Sequence, residues 1–262
     1  MPDQRQKRAT LTVAVLTLNE EKRIRACLQS ASFADQLLVV DSGSTDRTVT
    51  IAQEMGAQVH IYADWQGFAV QRNRLLQHAT GDYIFFLDAD EEMGPEFQQE
   101  LRAIIESGES AVWKIQWRMV AFGRELKYLR SISRVERLFV RSHVKEFTGV
   151  VHEEAQLDQP VARKEIRAPL RHHSRDSVKD SLQKMTQYAL LGAAKRAERH
   201  KKGGVVRGLF SASNMFIRVY FLHLGFLCGG AGFLYSVFLA GEAFFRYAAL
   251  AYDDEFQINI KR

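Results

Sequence analysis

The stretch YIFFLDADEE, residues 83–92, decides the fold, because it joins a fully apolar run to a cluster of carboxylates. Three comparable apolar runs precede it at 11–16, 36–40 and 57–61, and a segment with helix-forming sequence follows each of them. Runs that are apolar throughout are typical of parallel strands that helices cover on both faces. The sequence therefore predicts an α/β fold with an open, mostly parallel, Rossmann-like sheet, in which ligands bind beyond the carboxyl ends of the strands.

The rest of the chain predicts a mixed region followed by helices. Between the first strands we expect helices over about 20–28, 45–55 and 67–79. Further strands are expected at 112–120, 137–140 and 149–154, and one long helix is expected over about 177–200.

The net charge of +5 on 262 residues is unevenly distributed. Residues 1–117 carry 11 Lys and Arg against 17 Asp and Glu, residues 118–207 carry 21 against 10, and the remainder carries 4 and 4. The basic middle predicts an anionic partner. Cys27 and Cys228 are too few and too far apart for a disulfide framework or a zinc cluster. With no apolar stretch after the basic N-terminus, we expect a cytoplasmic location.

Residues 219–241 form an uncharged segment of 23 residues that contains five glycines. At about 1.5 Å per residue, one continuous helix of this length would cross a bilayer, but the central glycines favour a break. Three alternatives follow: an interfacial or re-entrant hairpin, a true span, or a soluble core or oligomer interface. A basic cluster upstream favours the membrane surface, and we expect peripheral or re-entrant association with it. The cluster comprises Lys195, Arg196, Arg199, Lys201, Lys202 and Arg207.

Acidic side chains stand where the first, second and fourth predicted strands end. Glu20 follows the first strand, Asp41 ends the second, and Asp88 and Asp90 follow the fourth. A cation held by few protein oxygens keeps positions open for phosphate, as Mg²⁺ or Mn²⁺ does with nucleotides. The first turn lacks the glycines of a dinucleotide site, and the chain has no Walker motif, so nicotinamide oxidoreductases and P-loop NTPases are disfavoured. No RNP or helix-turn-helix pattern supports a nucleic-acid partner.

Four motifs in order resemble family 2 glycosyltransferases of the GT-A fold: VAVLTLNEE at 13–21, VVDSGSTDRT at 39–48, QRN at 71–73 and LDADEE at 87–92. Such enzymes are metal-dependent and inverting, and they use nucleotide-sugar donors. The rest of the chain is similar to the lipopolysaccharide core-type β-glycosyltransferases of that family. That similarity rests on RLF at 137–139, GVVHE at 149–153, HHS at 172–174, Lys184 with Tyr188, and GFLCGGAGF at 225–233.

The resemblance implies roles for individual residues around a nucleotide-sugar. Asp41 would contact the edge of the base, Asp88 would lie near the ribose or the sugar, and Asp90 would hold Mn²⁺ or Mg²⁺. The remaining residues of the nucleotide-sugar pocket would be Thr17, Asn19, Glu20, Arg72, Asn73 and Ala89.

Inverting transfer needs a base that takes the proton from the acceptor hydroxyl. No acidic pair occurs between 100 and 150, so Glu153 is the predicted base, with Glu154 and Asp158 as alternates. His152 is expected at the diphosphate or the metal, and His172 and His173 are weaker candidates of the same kind. Phosphates of the donor or of an acidic acceptor would meet a set of arginines: Arg130, Arg134, Arg137 and Arg141.

These expectations define three parts: 1–110 as the nucleotide-sugar half, 111–204 as the acceptor half with its trailing helix, and 205–262 as an apolar helical, membrane-associating extension that could also mediate oligomer formation. The resemblance implies an activity that moves a sugar from a nucleotide-diphosphate sugar, with UDP as the expected nucleotide, to a membrane-linked glycolipid such as the lipopolysaccharide inner core. It also implies that the peripheral or re-entrant association is with the cytoplasmic face of the inner membrane. The alternatives are a polyprenyl phosphate or protein acceptor, or a non-catalytic nucleotide-binding membrane adaptor.

Overall fold

The computed structural model describes residues 8–131, 133–149 and 154–253. The chain divides into two compact units that do not follow chain order. The first unit combines Met1–Trp117 with Ser133–His172, and the second combines Arg118–Ile132 with His173–Arg262. The predicted boundaries at 110 and 204 describe functional parts and stay predictions.

The first unit begins with four parallel strands: β1 (Leu11–Thr17), β2 (Gln36–Asp41), β3 (Gln58–Ile61) and β4 (Tyr83–Asp88). Their order in the sheet is β3-β2-β1-β4. The intervening helices are α1 (Ile24–Ser30), α2 (Thr48–Glu54) and α3 (Phe68–His78), with α4 (Pro95–Ser107) after β4. All four predicted strands and the three predicted helices are confirmed.

The register of β1 brings three predicted site residues to the same edge of the sheet. Thr17 pairs with Asp41 on β2, and Leu16 pairs with Asp88 on β4. Since parallel strands end at one edge, the carboxyl ends meet there, as expected from the sequence.

The later strands make the sheet mixed. They are β5 (Glu91–Glu92), β6 (Ala111–Ala121), β7 (Arg124–Glu125), β8 (Arg134–Val140), β9 (Val144–Thr148), β10 (Glu154–Leu157), β11 (Ala162–Glu165) and β12 (Leu170–Arg175). Strand β8 lies antiparallel between β4 and β6. The predicted strand at 149–154 overlaps β10 only at its last residue, and 150–153 lie outside the described residues. β9 and β10 form an antiparallel pair of their own.

Apolar side chains fill both faces of the first sheet. Val13, Val15 and Phe85 belong to one buried cluster, whereas Ala14 and Phe86 belong to another. Successive side chains of a strand point to opposite faces, so both faces are buried. This explains why the strands are apolar throughout.

The second unit is mainly helical. It contains α5 (Val178–Glu198), α6 (Val205–Phe216) with a π-helical continuation (Ile217–Leu222), a 3₁₀ turn (Gly225–Cys228) and α7 (Gly229–Tyr252). Here α5 confirms the predicted long helix, and Ser177 caps it by accepting a hydrogen bond from the amide of Asp180.

The uncharged segment 219–241 is broken, as its glycines predict. Leu224 and Gly229 adopt positive φ angles of 64° and 60°. On either side of this turn the helices run antiparallel, because Gly208 lies against Phe244 while the rings of Phe216 and Phe233 are 5.9 Å apart. Within the described residues, Gly225–Tyr252 is the one helical stretch long and apolar enough to cross a membrane by length and composition.

Candidate active site

The site centres on an ion pair at the carboxyl edge of the sheet. Asp88 is the last residue of β4, and Arg137 lies on the neighbouring strand β8. The Arg137 Nη1 atom donates to Oδ1 of Asp88 at 2.9 Å, and Nη2 donates to Oδ2. Burial alone raises the pKa of Asp88, but the guanidinium of Arg137 outweighs it and lowers that pKa to about 2. The pair is therefore charged at neutral pH, and 42% of the Asp88 side chain remains exposed to a ligand.

Glu91 lies beneath this pair and is fully buried. Its Oε2 accepts a hydrogen bond from the backbone amide of Asp88 at 2.9 Å, and its Oε1 accepts one from the indole of Trp117. Arg137 Nη2 approaches the same Oε1 at 3.4 Å. Burial raises the pKa of Glu91 to about 7. The sequence did not predict this role. Glu91 and Glu92 are adjacent residues of the same type, and only the structure shows which of them faces the interior.

Asp90 meets a histidine from a distant part of the chain. The Nε2 atom of His172 lies 3.3 Å from Oδ2 of Asp90. The pairing of β12 with β5, which sets His172 opposite Glu91, brings the two together. Burial acts to lower the pKa of His172, but the hydrogen bond with Asp90 outweighs it, and the pKa is raised. Nδ1 of His172 is buried and has no hydrogen-bond partner among the described residues.

The donor set fits a divalent cation only if a ligand completes it. A carboxylate oxygen is a ligand that Mn²⁺ prefers, and a neutral imidazole nitrogen, here 3.3 Å from it, is a common metal ligand in proteins. The described residues hold no group of three or more His, Cys, Asp and Glu side chains that could bind a metal. Asp90 and His172 could therefore hold a cation whose other positions go to diphosphate oxygens and water.

Asp41 and Asn19 organise the turns that follow β2 and β1. The carboxylate of Asp41 is fully buried and accepts hydrogen bonds from the amides of Gly43 and Ser44 at 2.9 and 2.8 Å. Asn19, with φ of 55°, accepts from the amide of Thr45 at 2.9 Å. In this structure both side chains hold loop backbone.

Glu20 and Thr17 lie at the same edge of the sheet and make different polar contacts. The amide of Glu20 donates to Thr48 Oγ1 at 2.8 Å, so its backbone ties the two turns together. Thr17 Oγ1 is buried at the carboxyl end of β1 without a partner in the described part of the chain. Ala89 is buried in the turn between Asp88 and Asp90.

Arg72 and Asn73 are adjacent on α3 and make different contacts. Asn73 donates to the carbonyl of Phe147 at 2.9 Å and accepts from its amide at 2.7 Å, so its carboxamide fastens β9 to α3. Arg72 is buried with its guanidinium 5.1 Å from the ring centre of Phe86 and 5.7 Å from that of Phe147. Aromatic faces hold a guanidinium in place by cation–π contact and fix its orientation.

A cavity of about 750 Å³ in the first unit joins several of these side chains. Arg72, Asp88, Arg137 and Glu154, all predicted site residues, line it. The sequence did not single out two further cations of this cavity, Lys114 and Arg163. No motif marks Lys114, which alternates with Gln116 and Arg118 along β6 as polar residues of a half-buried strand do.

The arginines predicted as one basic set are not brought together. Arg134 and Arg137 line the cavity, and Arg134 also pairs with Glu165 at 3.1 Å. The prediction is wrong for Arg141, whose Nε donates to the carbonyl of Gly81 at 2.8 Å, before β4 begins and away from its carboxyl end. Arg130 belongs to the second unit, where its amide donates to the carbonyl of His223 at 3.0 Å.

The remaining predicted residues do not line the cavity or lie outside the described residues. His152 and Glu153 lie outside the described residues. The amide of Asp158 donates to the carbonyl of His143 at 3.0 Å, and this aspartate does not line the cavity. His173 and Lys184 belong to the second unit, where Nζ of Lys184 donates to the carbonyl of Ser174 at 2.9 Å.

Taken together, the fold and the site define an α/β protein with acids and an arginine paired at the carboxyl edge of its sheet. Residues 12–154, more than half of the chain, match the family model described as glycosyl transferase family 2, and the chain belongs to that family. The mixed, curled sheet with flanking helices is the GT-A fold that the sequence resemblance predicts.

The chain is also similar to a curated relative and to solved structures. The chain is 26% identical over 254 residues to the lipopolysaccharide core biosynthesis glycosyltransferase LpsC of Rhizobium meliloti (strain 1021), with 92% of this chain and 91% of LpsC covered. Among solved structures it is similar to glucosyl-3-phosphoglycerate synthase from Mycobacterium tuberculosis in complex with Mn²⁺, UDP and glucosyl-3-phosphoglycerate. There the identity is 24%, the TM-score is 0.47, and 70% of this chain and 78% of that chain are covered. It is also similar to S. aureus TarS in complex with UDP-GlcNAc. There the identity is 18%, the TM-score is 0.47, and 70% of this chain and 65% of that chain are covered.

Proposed function

We propose that the protein is an inverting glycosyltransferase that moves a sugar from a UDP-sugar to a membrane-linked acceptor, such as the lipopolysaccharide inner core. The observation that carries the proposal is the Asp88–Arg137 pair, half open to a cavity of about 750 Å³ at the carboxyl edge of the sheet. Membership of the family supports the reaction class. The name of the relative LpsC supports the acceptor class.

In this proposal the carboxyl edge binds the donor. Asp41 and Thr17 lie at the nucleoside end, with Asn19 and Glu20 shaping the turns around it. Asp88 and Ala89 lie at the ribose and sugar. Arg72, which packs against the rings of Phe86 and Phe147, lies at the diphosphate. Asn73 supports the pocket by holding β9, because both ends of its carboxamide are used by Phe147.

Asp90 and His172 would hold Mn²⁺ or Mg²⁺ against the diphosphate. The bound cation would offset the negative charge that develops on the leaving UDP. Arg137, which donates to Asp88, keeps that carboxylate ionised and oriented toward the donor. These side chains bind and orient the donor and the cation. None of them takes the proton of the acceptor hydroxyl.

The proton of the acceptor hydroxyl goes to a carboxylate as that oxygen attacks the anomeric carbon and the bond to UDP breaks. We propose Glu153 as this base. Its neighbour Glu154 lines the cavity and remains the alternate. His152 would lie near the diphosphate.

The donor assignment is tested by thermal unfolding with a panel of nucleotide sugars, each with and without Mn²⁺. A UDP-sugar is expected to raise the melting temperature only with the metal, since ligands that bind the folded state alone stabilise it. Asp90→Ala should abolish this rise, whereas Glu106→Ala, an exposed acid on α4, should retain it. Stabilisation without metal, or an unchanged response in Asp90→Ala, would contradict the role of Asp90.

The acceptor assignment needs membranes and a labelled donor. Label is expected in lipopolysaccharide; label in a polyprenyl lipid or in protein would replace the acceptor but keep the chemistry. If the donor binds with metal yet the wild type neither transfers nor hydrolyses it, the protein is a nucleotide-binding adaptor instead. Glu153→Gln should bind the donor normally and lose transfer by roughly 10²–10⁴-fold, the usual contribution of a general base.

A further inference from the structure

The outer face of α6 exposes a row of large apolar side chains. On α6, Val206 is 81% exposed, Leu209 55% and Phe210 76%. After the exposed polar pair Ser213 and Asn214, the π-helical continuation exposes Ile217 by 50% and Phe221 by 51%. Residues three, four and seven apart lie on the same side of a helix, so the apolar side chains of the two segments follow one face. An apolar row of this length on a soluble surface marks a site of interaction with another protein or a membrane.

The opposite face of the same helix is already occupied. Gly208 lies so close to Phe244 of α7 that a methyl group there would approach the ring within 3.0 Å. Val219 is fully buried in a cluster with Ala231 and Tyr235 of α7. The hairpin therefore has one side packed within its own unit, and the exposed row is the other side.

Basic side chains flank the amino end of this row. Arg199, Lys201 and Lys202 precede α6 and are exposed, and Arg207 lies in its first turn. In the part of the chain that the structure describes, none of these four has an ion-pair partner. Between Arg207 and Glu242 the only charged residue is Arg218. A cationic end joined to an apolar face matches the surface of an anionic bilayer, where each basic side chain near the surface contributes about 1 kcal/mol.

The packing of α7 disfavours insertion across the bilayer. Arg175 of β12 and Glu242 in the middle of α7 form a buried ion pair. The guanidinium of Arg175 also lies 5.4 Å from the ring centre of Phe238. Burying the length of α7 in lipid would require this pair and the strand that supplies it to enter the hydrocarbon, which is costly. The ion pair thus ties one side of α7 to β12.

We propose that the outer face of α6 and its π-helical continuation, defined by Val206, Leu209, Phe210, Ile217 and Phe221, lies flat on an anionic lipid bilayer, with Arg199, Lys201, Lys202 and Arg207 at the headgroups. The contact is interfacial, and α7 does not cross the membrane. It goes beyond the proposed transfer reaction, since binding requires neither donor nor metal.

The test is flotation of the full-length protein with vesicles of phosphatidylglycerol and phosphatidylethanolamine, compared with vesicles of phosphatidylcholine alone. We expect binding to the anionic vesicles that falls as salt rises, because salt screens exposed charges. Leu209→Gln with Phe210→Gln should weaken the partition coefficient by about tenfold or more, since each apolar side chain contributes about 1.5–3 kcal/mol when fully buried. Lys201→Glu with Lys202→Glu should weaken it similarly and remove the salt dependence.

The matched control is Leu182→Gln with Leu191→Gln, two comparably exposed apolar residues on α5. This control is expected to bind within about twofold of the wild type, a difference of less than 0.5 kcal/mol. Equal loss in the control, equal binding to neutral vesicles, or a dimer that dissociates only in the Leu209 and Phe210 variant would overturn the proposal, the last in favour of a second copy. Stabilisation by UDP and Mn²⁺, measured on the same variants, should be unchanged, so failure of the membrane contact leaves the donor assignment standing.

Discussion

At the scale of single residues, Glu91 shows how a buried acid can organise a site without touching the ligand. Both of its oxygens accept hydrogen bonds, one from the backbone of Asp88 and one from Trp117, and Arg137 supplies the compensating charge. A buried group of this kind is stabilising only while all its partners are present. Glu91 thereby links the end of β4 to β6 and β8.

Replacing Glu91 by glutamine tests this arrangement. The amide nitrogen of Gln would face either the amide of Asp88 or the indole of Trp117, and both are donors, so one hydrogen bond becomes a clash. We expect Glu91→Gln to lower the free energy of unfolding by about 1–3 kcal/mol in urea. The control Glu96→Gln, an exposed acid on α4, should change it by less than about 0.5 kcal/mol. Equal stability of the two variants would show that Glu91 is not held as described.

At the scale of elements, the buried pair of Arg175 and Glu242 joins β12 to α7. Burial raises the pKa of Glu242, although Arg175 acts against that rise. Arg175 also donates to the carbonyl of Ser181 at 3.3 Å, which connects the pair to the first turn of α5. One charge pair therefore ties α5 and α7 to Arg175, the last residue of β12.

Removing one partner of this ion pair should lower the free energy of unfolding more than removing both partners. Glu242→Leu leaves Arg175 buried without its counter-charge, and we expect the free energy of unfolding to fall by about 3–5 kcal/mol. The double variant Arg175→Met with Glu242→Leu should recover most of that loss, because apolar side chains of similar volume need no partner. Urea titration of both variants, with the exposed Glu198→Leu as control, measures the difference. A double variant as unstable as the single one would contradict the explanation.

At the scale of the whole molecule, the pH dependence of unfolding reports a buried tyrosine. Burial raises the pKa of Tyr235 to about 12, above its ordinary value of 10.0. Below pH 10 the phenol is neutral in the folded and unfolded states; between pH 10 and 12 only the unfolded chain ionises it. Stability contributed at lower pH is therefore lost as pH rises through that window.

We expect the free energy of unfolding to fall by about 3 kcal/mol from this group between pH 10 and 12, at about 1.4 kcal/mol for each pH unit. Tyr235→Phe should reduce that fall, and Tyr252→Phe, which changes an exposed residue of the same helix, should not. Denaturant titrations at several alkaline pH values give the comparison. An identical slope in Tyr235→Phe and the wild type would mean that Tyr235 is not shielded from water.

The amino-acid sequence by itself determined the parallel strands, the helices between them and the edge at which Asp41, Asp88 and Asp90 collect. These follow from local patterns, since uninterrupted apolar runs need cover on both faces and parallel strands end at one edge. The glycines at 225–232 likewise predicted the break that makes the apolar segment a hairpin.

Only the tertiary structure decided which distant groups complete the site. His172 reaches Asp90 because β12 pairs with β5, and Arg137 reaches Asp88 because β8 pairs with β4, whereas Arg141, four residues further along, lies at the other end of that strand. The same holds for Glu242, whose apolar surroundings in the sequence conceal a buried partner, Arg175, 67 positions away. Pairings over such separations depend on strand register and helix packing, and no local pattern of residues encodes them.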